Sequence, residues 1–278
     1  MEGGGGGSGT PSAAFSAFSA VPRPGTVTLA GISTEVSYTS LTPTSPTSTI
    51  SAPQNGTVSG AMTFNETGQA NAVAMTGALS NVNFDKTSTF TTSGGLMSVA
   101  SADNKNVMVL SDPSALVYNY QTFGFWETGS GTTSSRAAAI SVGSATPASA
   151  VPTTGTATFQ GLTLGGYVDP QGNAYTATSA ATLNTNFSSR TISYSTSNTQ
   201  KFDGSTGLQN AAANINLSGT LSYNSGTNSF TGAVTTTDGM TGTARGQFYG
   251  PSATEAGGTF GMTGGGVKTY VGAFGAKR

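Results

Sequence analysis

The sequence predicts an all-β protein whose C-terminal half closes into a soluble eight-stranded antiparallel β-barrel. Three observations predict it. Aromatic residues recur at strand-like intervals among Thr, Ser and Gly, as short antiparallel strands with glycine-rich turns require. Clusters such as Asp169-Pro-Gln-Gly-Asn173, Asn224-Ser-Gly-Thr-Asn228 and Asp238-Gly239 supply residues that preset φ or tolerate positive φ. No long stretch repeats apolar residues at i, i+3 and i+4 among helix formers. A disordered chain of this polarity would be rich in charge and poor in aromatics, yet here charged residues are 8% and aromatics 9%.

Taken in chain order, the first element is a spacer. Met1-Glu2 is followed by Gly3 to Gly7, Ser8 and Gly9, and the composition continues through Pro11, Pro22 and Pro24, so residues 1–24 read as a flexible Gly/Ser/Pro tether. Gly4-x-Gly6-x-x-Gly9 matches a dinucleotide fingerprint only by accident of polyglycine, because no strand precedes it.

From Thr153 onward eight strands are expected, near 154–161, 174–187, 190–197, 212–223, 228–236, 241–249, 256–262 and 268–275. The longest connection, Asn198 to Gln209, reads as a loop at the barrel rim. In Thr154-Gly-Thr-Ala-Thr-Phe159 the hydroxyls share one face and Gly155, Ala157 and Phe159 the other, and Ile192 and Tyr194 alternate with hydroxyls in the same way. A lipid-exposed barrel needs an apolar outer band, so hydroxyls outside and apolar groups inside mean a barrel in water. Phe159, Phe187, Phe230, Phe248, Phe260 and Phe274 are the expected core, and Gly219, Gly232, Gly242, Gly246, Gly258 and Gly272 the positions that make room for them.

Several function classes lose their chemistry. Ten basic and eleven acidic residues, scattered singly, give a formal net charge of −1 and no phosphate-tracking stripe, so no nucleic acid is expected. With neither Cys nor His there is no disulfide framework, no thiolate or imidazole metal ligand and no familiar nucleophile and base pair. No Ser-x-x-Lys, Gly-x-Ser-x-Gly or P-loop motif occurs, and no enzyme is expected. Asp103-Asn-Lys-Asn106 has oxygen atoms at calcium-like spacing, but Lys105 stands where a ligand is wanted, so it reads as a hairpin turn. Glu255 reads as a structural acid fixing the turn after Gly250-Pro251.

The C-terminal run carries a resemblance. Gly246, Phe248, Tyr249, Gly250, Pro251, Ala253, Glu255, Gly257, Gly258 and Phe260, with the terminal Gly272-Ala-Phe-Gly-Ala-Lys-Arg278, resemble the closing strands of the transferrin-binding-protein-B-like barrel of Gram-negative surface lipoproteins. Pro152-Thr-Thr-Gly-Thr-Ala-Thr-Phe-Gln-Gly161 resembles its first barrel strand, and Tyr120-Gln-Thr-Phe-Gly-Phe-Trp126 the segment that ends a preceding handle. The resemblance implies a handle-like β subdomain at 25–150 and a barrel at 151–278. It also implies a non-enzymatic lipoprotein on the outer-membrane surface, holding to the membrane only through an N-terminal lipid and binding a protein or small solute for an outer-membrane transporter. The polyglycine start resembles the tether after a lipid-carrying Cys, which predicts such a Cys near Gly3 in the precursor; the alternative is an added linker. No cofactor is expected, since haem would need Tyr or Met in place of the missing His. The charge-poor Ser/Thr/Gly composition keeps a second class open, a structural or adhesive surface-layer protein.

The aromatic group Tyr118, Tyr120, Phe123, Phe125 and Trp126 has two readings at the handle–barrel junction. Burial is one. In the other, Tyr118, Tyr120 and Trp126 are the ligand-binding residues, since Tyr and Trp carry interface hot spots.

Overall fold

Hydroxyl and small residues alternating with aliphatic and aromatic ones fold here into two antiparallel sheets. The computed structural model describes residues 15–42 and 44–278. The handle contains β1 (Gly25–Ser40), β2 (Thr47–Ile50), β3 (Gln54–Phe64), β4 (Ala70–Thr76), β5 (Asn81–Phe84), β6 (Thr89–Ser93), β7 (Leu96–Ala100), β8 (Asn106–Ser111), β9 (Gln121–Thr128) and β10 (Ser134–Gly143). Its order is β5-β4-β3-β1-β10-β9-β8-β7-β6, with β2 added to β1. The sheet curls around its own core, which includes Leu29, Met62, Phe64, Phe84, Leu110, Trp126 and Ile140.

The second sheet contains β11 (Thr156–Val168), β12 (Ala174–Asn186), β13 (Thr191–Phe202), β14 (Gln209–Ala211), β15 (Leu217–Tyr223), β16 (Ser229–Thr236), β17 (Thr241–Tyr249), β18 (Glu255–Thr263) and β19 (Thr269–Lys277). Its order runs β12-β11-β19-β18-β17-β16-β15-β13-β14, and an extra β12–β13 pairing closes eight of these strands into a barrel, with β14 hanging on the end of β13. The all-β class, the handle-like sheet and the closed antiparallel barrel are therefore as the sequence predicts. All six expected phenylalanines lie in the barrel core. Burying each contributes about 1.5–3 kcal/mol. Ser193, Ser195 and Ser197 face solvent between buried Ile192, Tyr194 and Thr196, so the exposed wall there is hydroxyl rather than apolar.

Some local expectations change. Residues 1–14 of the expected spacer lie outside the described residues; from Phe15 the chain packs. Phe18 is buried 6.2 Å from the Phe64 ring, and the Arg23 guanidinium covers Phe64 at 3.9 Å, so apolar and cation–π contacts anchor a stretch that composition marks as free. Strand β13 continues to Phe202 because β12 and β14 supply partners, which shortens the rim loop to 203–208. Residues Ala213–Ile215 form a 3-10 turn, not a strand, and bury Ile215 in the barrel core. The segment 120–126 does not end the handle: β10 follows it and lies between β9 and β1.

Strands β18 and β19 are buried over almost their whole length on both faces. Even-numbered residues point into the barrel, where a side chain on Gly246, Gly258 or Gly272 would collide with the ring of Phe230, Phe274 or Phe260. Odd-numbered residues face the handle: a side chain on Gly257, Gly261 or Gly275 would collide with Gln121, Pro53 or Phe123. The glycine-rich C-terminal run thus serves two interfaces at once, and sequence reasoning sees only the inner one.

Candidate functional site

The seam between handle and barrel is built from alternate residues of each sheet. From the handle, Val36, Phe123, Phe125 and Ala139 pack on Leu164, Val271 and Ala273 of the barrel in a core of their own. Polar latches surround it. Thr34 and Thr259 share a hydroxyl hydrogen bond of 2.8 Å, and so do Ser141 and Tyr249. The Arg245 guanidinium donates to the carbonyls of Ser33 and Gly56.

Glu255 belongs to this seam and not to its own turn. Its carboxylate accepts the backbone N–H groups of Asn119 (2.7 Å) and Tyr120 (3.3 Å) from the handle. Burial pushes its pKa up to about 7, against the lowering effect of those hydrogen bonds, of Gln121 and of the Lys277 charge. The carboxyl thereby ties the start of β18 to the handle segment at Asn119 and Tyr120.

The three sequence-predicted binding residues separate. Tyr118 is buried in the seam, its hydroxyl donating to the Gly275 carbonyl at 3.1 Å and its ring edge-on to Phe123 at 5.0 Å. Burial pushes its phenol up to about 12. Tyr120 is half-buried beside Gly250. Trp126 does not reach the junction. Strand alternation turns Gln121, Phe123 and Phe125 toward the barrel and Trp126 into the handle core, where its indole N–H donates to Ser80 Oγ at 2.8 Å. Neither Tyr118 nor Trp126 presents a ring to solvent, and period-two alternation through β9 was the available signal for Trp126.

Where the sheets diverge, the seam opens into a cleft of about 200 Å³. Its handle wall includes Val36, Tyr38, Phe125 and Glu127, and its barrel wall Tyr167, Val168, Tyr175 and Gly204. Tyr167 and Tyr175 stack at 6.1 Å. The Asp169 turn positions Tyr175: Asp169 accepts the N–H groups of Gln171 and Asn173, each at 2.9 Å, and the Tyr175 hydroxyl at 3.3 Å. Burial raises the Glu127 carboxyl above its ordinary value although the Tyr38 and Ser130 hydroxyls hydrogen-bond to it. Tyr38 is pushed well up by burial first and the Glu127 charge second. Sequence reasoning missed this site, because its walls come from β1 and β9 of the handle and from β11 and β12 of the barrel, two pairs that are not adjacent in the chain, and no motif joins them.

Other possibilities carry less. Asp103 Oδ1 accepts from Ser101 Oγ at 2.6 Å and from Lys105 N–H at 3.1 Å, so this segment is a turn. Among the described residues no three acidic side chains converge on a point. Among them, too, no helix is long and apolar enough to cross a membrane.

Comparison with known proteins agrees with the fold. Residues 151–278 match the family described as the C-lobe and N-lobe beta barrels of Tf-binding protein B. A tryptophan-to-alanine variant of transferrin binding protein B from Haemophilus parasuis is similar at 17% identity and TM-score 0.52, over 89% of this chain and 44% of that one. The isotype 1 transferrin binding protein B of serogroup B Neisseria meningitidis gives 16% identity and TM-score 0.49, over 89% of this chain and 43% of that one. The chain thus spans less than half the length of these proteins. No curated protein sequence matches it. The family match and the closed barrel agree: residues 151–278 are similar in sequence and in fold to the β-barrels of the transferrin-binding-protein-B-like family.

Proposed function

We infer that the chain is a non-enzymatic binding module of the bacterial surface, taking a protein or small solute at the loops and cleft where handle and barrel diverge. The observation that carries this is the cleft with its apolar rim. Large apolar side chains stand exposed on the loops around it: Phe202 (43%) and Leu208 (61%) flank the loop that brings Gly204 to the cleft, and Leu41 (84%) follows the strand that brings Tyr38. Exposed apolar groups rimming a concave site are what a binding surface offers. Half-buried Tyr120 belongs to the same seam and remains a candidate contact. Transferrin is named in the similar structures and is one candidate ligand. Anchoring by an N-terminal lipid and service to an outer-membrane transporter complete the proposal, supported by the family match of the barrel.

The test is affinity capture on the immobilised protein, followed by saturation binding of whatever is retained. A discrete ligand or a transporter that saturates and is not turned over supports the reading. Recovery of this protein alone, assembled into a lattice or fibre, replaces it with the structural or adhesive one.

A further inference from the structure

Within the cleft stands one acid without a cation. Among the described residues Lys268 and Asp238 form an ion pair at 2.7 Å, while Glu127 has no basic partner. Rings of Tyr38, Phe125, Tyr167 and Tyr175 surround the same space. The barrel wall already seats an ammonium group, since Lys201 Nζ lies 4.3 Å from the centroid of the Tyr175 ring. A partly buried carboxylate attracts positive charge, and aromatic faces attract it through their quadrupoles.

Other ligand classes fit poorly. An anion would meet Glu127 in the cleft and Asp169 and Asp203 on the loops beside Tyr175. A hard metal ion wants six or more oxygen ligands, and a single carboxylate lines the space. A wholly apolar ligand would strip water from the carboxyl and leave its charge only the Tyr38 and Ser130 hydroxyls. The volume of about 200 Å³ lies below the roughly 300–1,000 Å³ of sites for drug-sized molecules, which favours a small ligand.

The geometry points to a binding site for a small organic ammonium ion, its charge on Glu127 and its apolar body against Tyr38, Phe125, Tyr167 and Tyr175. This rests on the reading of the chain as a binding protein and names the ligand class of the same cleft.

Titration calorimetry on the full chain at neutral pH tests it with two probes of like shape, benzylamine as the cation and benzyl alcohol as the neutral analogue. Benzylamine should saturate one site and bind on the order of tenfold more tightly than the alcohol, the worth of one charged hydrogen bond. Glu127→Gln should bring the two probes to similar affinity, and Tyr175→Leu should weaken benzylamine with Glu127 intact. Equal binding of both probes to the unaltered chain, or no binding of either, overturns the ammonium site without any variant having to fold. Full retention of benzylamine by a folded Glu127→Gln chain does the same. Affinity capture of another saturable ligand alongside any of these negative results leaves the binding-protein reading standing.

Discussion

The ring of Phe123, carried by the handle, occupies the space over the α-carbon of Gly275 on the last barrel strand. Gly275→Ala must push the sheets apart or displace the ring. Overpacking of this kind costs about 1–3 kcal/mol. Gly265→Ala is the control, with nothing within 4 Å of the added carbon. Denaturant unfolding should show the loss for the first variant and little change for the second; equal midpoints would show that the seam yields freely.

Glu255 makes the seam pH-dependent. Its folded pKa of about 7 lies above the ordinary carboxyl value of 4.5, so between these pH values the folded chain holds a proton that the unfolded chain has released. Stability from this group is therefore full below pH 4.5 and is lost as pH rises through 7. A tenfold difference in proton affinity between the folded and unfolded chain is worth about 1.4 kcal/mol. The Glu127 carboxyl, also raised by burial, contributes in the same direction. Unfolding free energies measured from pH 5 to pH 8 should fall by about 1–3 kcal/mol. Glu255→Gln should flatten much of that fall. A rise over the same range would reverse the assigned sign.

Trp126 is the chain's single tryptophan and is fully buried in the handle. Its fluorescence should be blue-shifted and resist quenching by iodide, and benzylamine should leave it unchanged. Trp126→Phe, which loses the hydrogen bond to Ser80, should cost about 1–3 kcal/mol for the partner left behind while leaving the barrel folded. Strong iodide quenching would return Trp126 to the surface.

Gly172 pins the barrel rim to the handle. Its φ is +86°, and an added Cβ would collide with the backbone of Thr47. Thr47 N–H donates to the Gly172 carbonyl at 2.9 Å. Gly172→Ala should cost at least about 1 kcal/mol from backbone strain and speed hydrogen exchange at Thr47. Unchanged exchange there would separate this loop from the handle.

The sequence by itself determined the fold class, most barrel strands and the phenylalanine core, because period-two alternation and turn chemistry are local and repeat along the chain. It also located Asp169-Pro-Gln-Gly-Asn173 as a turn, which Asp169 closes through backbone N–H groups within four residues of itself. Tertiary structure decided what the outward faces do. Hydroxyl and small residues look like a wetted wall in sequence, yet Thr259, Gly257, Gly261 and Gly275 lie under the handle because their small size admits a second sheet. The same packing took Tyr118 and Trp126 away from any surface ligand. It also brought Tyr38, Glu127, Tyr167 and Tyr175 together across two sheets. Alternation states which side of a strand a residue occupies, but only docking of the sheets decides whether that side meets water, a partner sheet or a cleft.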